Sequence, residues 1–187
     1  MVINVCAAQS IKFLCQLRLT PTHQAPKNGT RSHIRGCAKH YYTTRQAFGQ
    51  QFNYRAFWSE VTEDREVVAA FAYAIERKNA KQKSFQQILR DIGFEVKLKP
   101  FVQRRDGSTK GDWDVGIALD LIDYAAEVDT VVLASGDGDF ELALLRANSR
   151  FGVETEVYGV QQLTADLLIK SATRYRPIEH DLLLEKN

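Results

Sequence analysis

From about residue 65 to the C-terminus, strand-like and helix-like patterns of apolar residues alternate along the chain. Short apolar runs are typical of buried strands, and apolar residues at helical spacing are typical of helices packed on a sheet. The strand-like runs are 66–75, 130–134 and 154–158, and the helical segments are 79–92, 113–126 and 140–150. Because strands separated by helices form βαβ units, we expect an α/β fold with a mainly parallel sheet covered on both faces.

The pattern is weaker at the two edges of this region. Residues 94–102 alternate with Lys97 and Lys99, which indicates a half-exposed strand near a sheet edge. Residues 41–61 have helical spacing with a break at 49–53. The remaining expected elements are a polar loop at 103–111, a helix at 163–172 and a last short strand at 175–178.

The N-terminal segment differs in composition from the rest of the chain. The first 59 residues contain eight of the 25 lysines and arginines and none of the 23 acidic residues. Residues 1–38 show no coherent periodicity, although 11–19 could be a strand. The three cysteines, Cys6, Cys15 and Cys37, all lie there, and their odd number argues against a disulfide framework.

Length and composition are those of one globular domain. With 187 residues, 44% of them hydrophobic and 26% charged, the chain can bury a core. No apolar stretch approaches the ~20 residues of a membrane span, so no membrane partner is expected. Unpaired cysteines favour a reducing, cytoplasmic location, although an acid-poor N-terminus also suits a transit peptide.

Two acid-bearing turns carry the candidate chemistry. Asp137 and Asp139, in Ser-Gly-Asp-Gly-Asp, directly follow the apolar run 130–134, and Asp114 follows Lys110-Gly111. Ligands bind at the carboxyl edge of open α/β sheets, and carboxylates crowded there repel one another unless a cation intervenes. The pattern therefore indicates an Mg²⁺ or Mn²⁺ site. The alternative is that one of these aspartates only caps a helix.

Several segments together resemble a known family. The segments are KGDWDVGIALDLI at 110–122, VVLASGDGDF at 131–140, VETEVYGV at 153–160, YYTTRQAFG at 41–49 and AFAYAI at 70–75. The chain resembles the NYN domain of the LabA-like group, within the PIN-like nuclease superfamily, over roughly residues 41–178. This resemblance implies a Rossmann-like three-layer sandwich and a metal-dependent ribonuclease-type site.

Carried over to this sequence, the resemblance implies that Asp114, Asp137 and Asp139 are the catalytic and metal-binding residues. Lys110 and Ser135 are the expected substrate contacts, although Lys110 could equally be a solvated loop lysine. Asp120 also matches an acid of the pattern. Six helical positions separate it from Asp114, so we expect it to lie instead in a solvated stripe with Asp123 and Glu127.

Weaker candidates surround this set. A strip of Lys97, Lys99, Arg104 and Arg105 could follow a nucleic-acid backbone, although an ordinary exposed edge is the better expectation. The aromatic side chains Tyr41, Tyr42 and Trp113 could stack on bases but are more often packed. Asp112 is more simply an N-cap or loop acid.

The resemblance fails before Tyr41. The family opens with an apolar strand ending in an aspartate, where this chain has Gly36, and with a nearby asparagine, where it has Lys39. The central strand is thus lost or replaced, either because the N-terminus has diverged or because it stems from a wrong reading frame or start. We therefore expect residues 1–38 to be a non-matching, poorly ordered segment and residues 39–187 to form the NYN/PIN-like domain.

Two functions remain open from the sequence. The first is a metal-dependent RNA phosphodiesterase, impaired by the missing aspartate, that acts on single-stranded or structured RNA. The second is a catalytically weak regulatory module that binds RNA, a protein partner or a second copy of the chain. A phosphoryl-transfer protein is a lower alternative, and the absence of a GxxxxGK[ST] loop argues against an NTPase.

Overall fold

The computed structural model describes residues 12–19, 43–76, 80–100, 102–103, 109–110 and 113–185. Its main feature is a mixed six-stranded sheet in the order β3-β2-β1-β6-β7-β8. The six strands are β1 (Lys12–Leu19), β2 (Arg65–Glu76), β3 (Glu95–Pro100), β6 (Thr130–Ala134), β7 (Glu154–Gly159) and β8 (Arg174–Pro177). Two short strands, β4 (Val102–Gln103) and β5 (Thr109–Lys110), pair separately.

Strand β1 occupies the centre of the sheet, between β2 and β6, and is antiparallel to both. Residues 13–17 are all buried. Our expectation that residues 1–38 are poorly ordered is therefore wrong for residues 12–19, and the rest of that segment lies outside the described residues. The physical reason is that the alternating apolar side chains of β1 fit the cores on both faces of the sheet.

The helices form a layer on each face of this sheet. The helices α2 (Tyr54–Thr62) and α3 (Ala80–Ile92) bury Phe57 and Leu89 on one face, together with Phe13 and Cys15 of β1. The helices α4 (Asp114–Ala125), α5 (Glu141–Phe151) and α6 (Asp166–Ser171) pack on the other face, together with Leu14. Helix α1 (Thr43–Phe48) precedes α2. The three-layer α/β fold expected from the sequence is therefore confirmed.

Most expected elements appear within one or two residues of their expected ends. The sheet has three parallel and two antiparallel strand pairs, and both antiparallel pairs involve β1. The helix expected at 163–172 is shorter, because Thr164 and Ala165 are extended between a 3-10 turn at Gln161–Leu163 and α6. None of the described helices is long and apolar enough to cross a membrane.

Candidate metal centre

The loop after β6 presents Asp137 and Asp139. Its glycine at position 136 is required, because a Cβ atom there would lie 2.6 Å from the carbonyl oxygen of Leu163. That close approach lets the amide of Ala165 donate to the carbonyl of Gly136 at 3.0 Å. This hydrogen bond fastens the loop to the segment that leads into α6. It thereby fixes the position of the backbone just before Asp137.

Asp137 is held in a defined orientation by its own loop. Its backbone amide donates to the Ser135 hydroxyl oxygen at 3.1 Å, and its Oδ1 atom accepts from the backbone amide of Asp139 at 3.2 Å. Asp137 is therefore the N-cap of the 3-10 turn Gly138–Phe140. Asp137 therefore does act as a cap, the alternative role that the sequence left open. Capping uses only Oδ1 of its carboxylate.

Asp114 reaches the same place from the first turn of α4. The preceding Trp113 positions this turn, since its indole Nε1 donates to the carbonyl of Ala74 at 2.9 Å. Gly116 lies against the Trp113 ring, where a Cβ atom would be 2.8 Å from the nearest ring carbon. Trp113 thus packs against β2 and ties the start of α4 to the sheet.

The structure brings the three aspartates together. One carboxylate oxygen from each of Asp114, Asp137 and Asp139 lies within 4.8 Å of the other two. Asp114 and Asp137 are half-buried, and Asp139 is exposed. Three carboxylates around one point suit a hard divalent cation that keeps several water molecules, so this donor set fits Mg²⁺ or Mn²⁺.

Lys12 is the residue of this site that sequence reasoning missed. Its Nζ atom lies 2.5 Å from Asp114 Oδ1 and 2.9 Å from Asp137 Oδ2, and 4.5 Å from the centre of the Phe140 ring. The available signal was its position directly before an apolar run of strand type. What that signal lacked was the direction of the strand, which decides the end of the sheet at which Lys12 lies.

Asp120 does not lie in a solvated stripe, and that expectation is wrong. It is half-buried, and its Oδ2 atom accepts from the Tyr73 hydroxyl at 2.7 Å and from Lys97 Nζ at 2.8 Å. Burial and then the hydrogen bond to Asp120 raise the pKa of Tyr73, which keeps this hydroxyl a donor. Asp120 thus fastens α4 to β2 and β3 and is not part of the three-aspartate cluster.

Two lysines of the proposed basic strip, Lys97 and Lys99, contact other side chains of the fold. Lys97 binds Asp120 and lies 3.7 Å from the centre of the Phe71 ring, and Lys99 lies 5.3 Å from the centre of the Trp113 ring. The strip's two arginines, Arg104 and Arg105, lie outside the described residues, as do Asp112, Tyr41, Tyr42 and the side chain of Lys110. The substrate contact predicted for Lys110 therefore remains a prediction, and so does that of Ser135, whose hydroxyl oxygen accepts from the backbone amide of Asp137.

Comparison with known proteins places these features in a family. The sequence model of the NYN domain matches residues 37–179, which is most of the chain but excludes β1. The low amplitude and bright protein LabA of Synechococcus elongatus is 33% identical over 90 residues, 44% of this chain and 48% of that protein. The chain thus spans about half the length of this relative.

A solved structure shares the fold at higher identity. It is the crystal structure of a protein of unknown function from Vibrio parahaemolyticus, which is 52% identical with a TM-score of 0.73. The match covers 77% of this chain and 89% of that one. The sheet, the aspartate cluster and these similarities agree: the chain belongs to the NYN domain family, in its LabA-like group, and has the PIN-like, nuclease-type fold.

Proposed function

We propose that this chain is a metal-dependent RNA phosphodiesterase whose site is the cluster Asp114, Asp137 and Asp139. The convergence of three carboxylate oxygens within 4.8 Å supports this proposal most strongly. Membership of the NYN family adds the expectation of nucleic-acid binding. Lys12 pairs with two of the three aspartates but offsets only one of their charges, so a divalent cation would stabilise the cluster further.

The three aspartates would hold Mg²⁺ or Mn²⁺ through one oxygen each. When bound, such an ion supplies an activated water and neutralises phosphate charge. Asp137 is pre-oriented for this role, because its backbone amide donates to the Ser135 hydroxyl and its carboxylate accepts from the amide of Asp139. Asp139 is exposed and so lies on the side from which an RNA strand would approach. Ser135 and Lys110 are the proposed contacts to the phosphate.

The alternative function is a regulatory module that binds RNA or protein without efficient cleavage. One observation favours it: Lys12 already forms ion pairs with two of the three aspartates. A site whose negative charge is partly neutralised by its own chain attracts a divalent ion less strongly. When the module's ligand is RNA, both functions place it at the same edge of the sheet, and they differ in whether the phosphodiester bond is cut.

Cleavage of single-stranded RNA by the full chain in the presence of Mn²⁺ tests the proposal. We expect cleavage that EDTA abolishes and that Asp139→Asn lowers at least about tenfold, since metal sites are sensitive to lost ligands. Asp139 is preferred to Asp137 for this purpose, because Asp137 also caps a turn. Asp123→Asn, which changes an exposed acid of α4 outside the cluster, is the matched control and should leave cleavage unchanged.

Two results would contradict the proposal. Cleavage that persists in EDTA and in Asp139→Asn would come from another site or another protein. RNA binding without any cleavage, equal in Asp139→Asn and Asp123→Asn, would favour the binding module.

A further inference from the structure

The position of Lys12 follows from the direction of β1. Because β1 is antiparallel to β6, its first residues lie beside the last residues of β6, and Phe13 pairs with Ala134. Lys12 is therefore next to the loop that carries Asp137. Phe13 and Leu14 are buried on opposite faces of the sheet, so the backbone at Lys12 is anchored on both sides.

The side chain of Lys12 occupies the space between two of the proposed metal ligands. Its exposed fraction is 17%, against 29% for Asp114 and 17% for Asp137. Asp137 uses Oδ2 for Lys12 and Oδ1 for the amide of Asp139, so both of its oxygens are engaged. Mg²⁺ binds carboxylate oxygens at about 2.1 Å, so it could not approach Asp137 Oδ2 in this geometry without moving the ammonium group.

We propose that Lys12 is an internal counter-cation that competes with a divalent metal for Asp114 and Asp137. This inference rests on the proposed metal site, and it adds that the ground state of the chain is a lysine-closed form. Metal loading requires the Lys12 ammonium to leave both carboxylates. The four-carbon stem of lysine is flexible enough to allow this movement while β1 stays in place.

The closed form has a specific charge balance. Counted over the described side chains, one ammonium stands against three carboxylates, a net charge of −2 that still attracts a divalent ion. The ion must displace a cation at 2.5 and 2.9 Å from its partners, and that displacement lowers its apparent affinity. Removing the charge of Lys12 is therefore expected to strengthen metal binding, whereas loss of a merely structural lysine would weaken or not affect it.

Mn²⁺ binding to the full chain, measured by the electron paramagnetic resonance signal of free Mn²⁺, tests this inference without any RNA. Lys12→Met keeps the length and the apolar stem of the side chain but removes its charge. We expect its dissociation constant for Mn²⁺ to be at least about tenfold lower than that of the unmodified chain. Lys83→Met, at an exposed position of α3 on the other face of the sheet, is the matched control and should change nothing.

Lys12→Gln provides a second neutral variant if Lys12→Met does not fold, and Lys12→Arg retains a cation. The inference predicts tighter Mn²⁺ binding in the neutral variants and a dissociation constant within about threefold of the original in Lys12→Arg. Equal Mn²⁺ binding in the unmodified chain, Lys12→Met and Lys12→Gln would overturn it, and so would an absence of binding in all of them.

The outcome is separable from that of the proposed function. Tighter Mn²⁺ binding by Lys12→Met without RNA cleavage would support the counter-cation and contradict the phosphodiesterase. Metal-dependent RNA cleavage with unchanged Mn²⁺ binding would do the reverse.

Discussion

Two charged clusters, on opposite faces of the same sheet, differ in how far their carboxylates are neutralised. Glu156 of β7 is 1% exposed and faces α2 and α3; it accepts two hydrogen bonds from Arg65, at 2.9 and 3.1 Å, and one from Arg174 at 3.0 Å. The aspartate cluster faces α4–α6, and among the described side chains the cation that pairs with its three carboxylates is Lys12. Counted over the described side chains that form these ion pairs and the three aspartates, the first cluster has a net charge of +1 and the second of −2.

This difference separates a structural cluster from a candidate site. A buried charge is tolerated when its partners satisfy it fully, as the two arginines do for Glu156. An arrangement that leaves like charges together destabilises the fold, and such arrangements are frequent at functional sites. The excess negative charge is therefore the property of the aspartate cluster that points to an external cation.

The largest expected change in stability comes from the cluster of Glu156, Arg65 and Arg174. Glu156→Gln leaves Arg65 and Arg174 without their buried carboxylate, and we expect the free energy of unfolding to fall by about 3 kcal/mol. This is near the lower end for buried pairs, because the Arg174 side chain is 38% exposed. Urea denaturation followed by circular dichroism measures the loss. Glu154→Gln, an exposed position of the same strand, should change the free energy by less than about 0.5 kcal/mol.

If both glutamine variants are equally mild, Glu156 is not a structural anchor, and the contrast between the two clusters fails.

An intermediate effect comes from Cys15, which lies in register with Glu156 through Val132. Burial raises the pKa of its thiol from 9.0 to about 12. As the pH rises, the thiol of the unfolded chain loses its proton at a lower pH than the buried thiol. The contribution of Cys15 to the free energy of unfolding is therefore complete below about pH 9 and is lost as the pH rises through about 12. At about 1.4 kcal/mol per pH unit, the contribution of Cys15 falls by roughly 2 kcal/mol by about pH 10.5.

Urea denaturation at pH 8 and at pH 10.5 measures this change. Cys15→Ala should be less stable at pH 8, because it leaves a cavity, but its stability should decline less steeply with pH. Identical slopes in the two proteins would show that Cys15 is not buried in the folded state.

The smallest expected change in stability comes from the aspartate cluster. Asp139→Asn removes one of three like charges, so we expect the free energy of unfolding to stay constant or to rise by up to about 1 kcal/mol. The gain should shrink at high salt, since Asp139 is exposed. Thermal denaturation at low and high salt, with Asp123→Asn as control, measures it. A clear loss of stability specific to Asp139→Asn would mean that this carboxylate has a structural partner, as Glu156 does.

Local patterns predicted much of this molecule. The strand Thr130–Ala134 and the loop carrying Asp137 and Asp139 were expected where they occur, because a buried strand and its turn are encoded in adjacent residues. Helix α4 was likewise recognisable from its apolar spacing, and with it the position of Asp114. These elements depend little on distant parts of the chain.

The features that the sequence did not predict are contacts between distant segments of the chain. Residues 11–19 were open to a strand interpretation, but the local sequence does not give the direction of a strand, so it could not place Lys12 beside Asp114, 102 positions away in sequence. Asp120 was expected in solvent from the helical spacing of α4 alone, which does not show its partners Tyr73 and Lys97 on β2 and β3. Pairing direction and cross-sheet contacts are set by tertiary packing, which a single sequence does not display.

Strand β1 completes the sheet and thereby brings Lys12 to the aspartates. Thiol labelling of Cys15 tests it most directly, because this side chain is fully buried in the middle of β1. In the variant Cys6→Ser/Cys37→Ser, Cys15 is the only thiol. At pH 8 the account predicts that an aromatic disulfide reagent labels it more than about a thousandfold more slowly in native buffer than in urea. Rapid, complete labelling of the folded protein, with its circular dichroism spectrum intact, would contradict it.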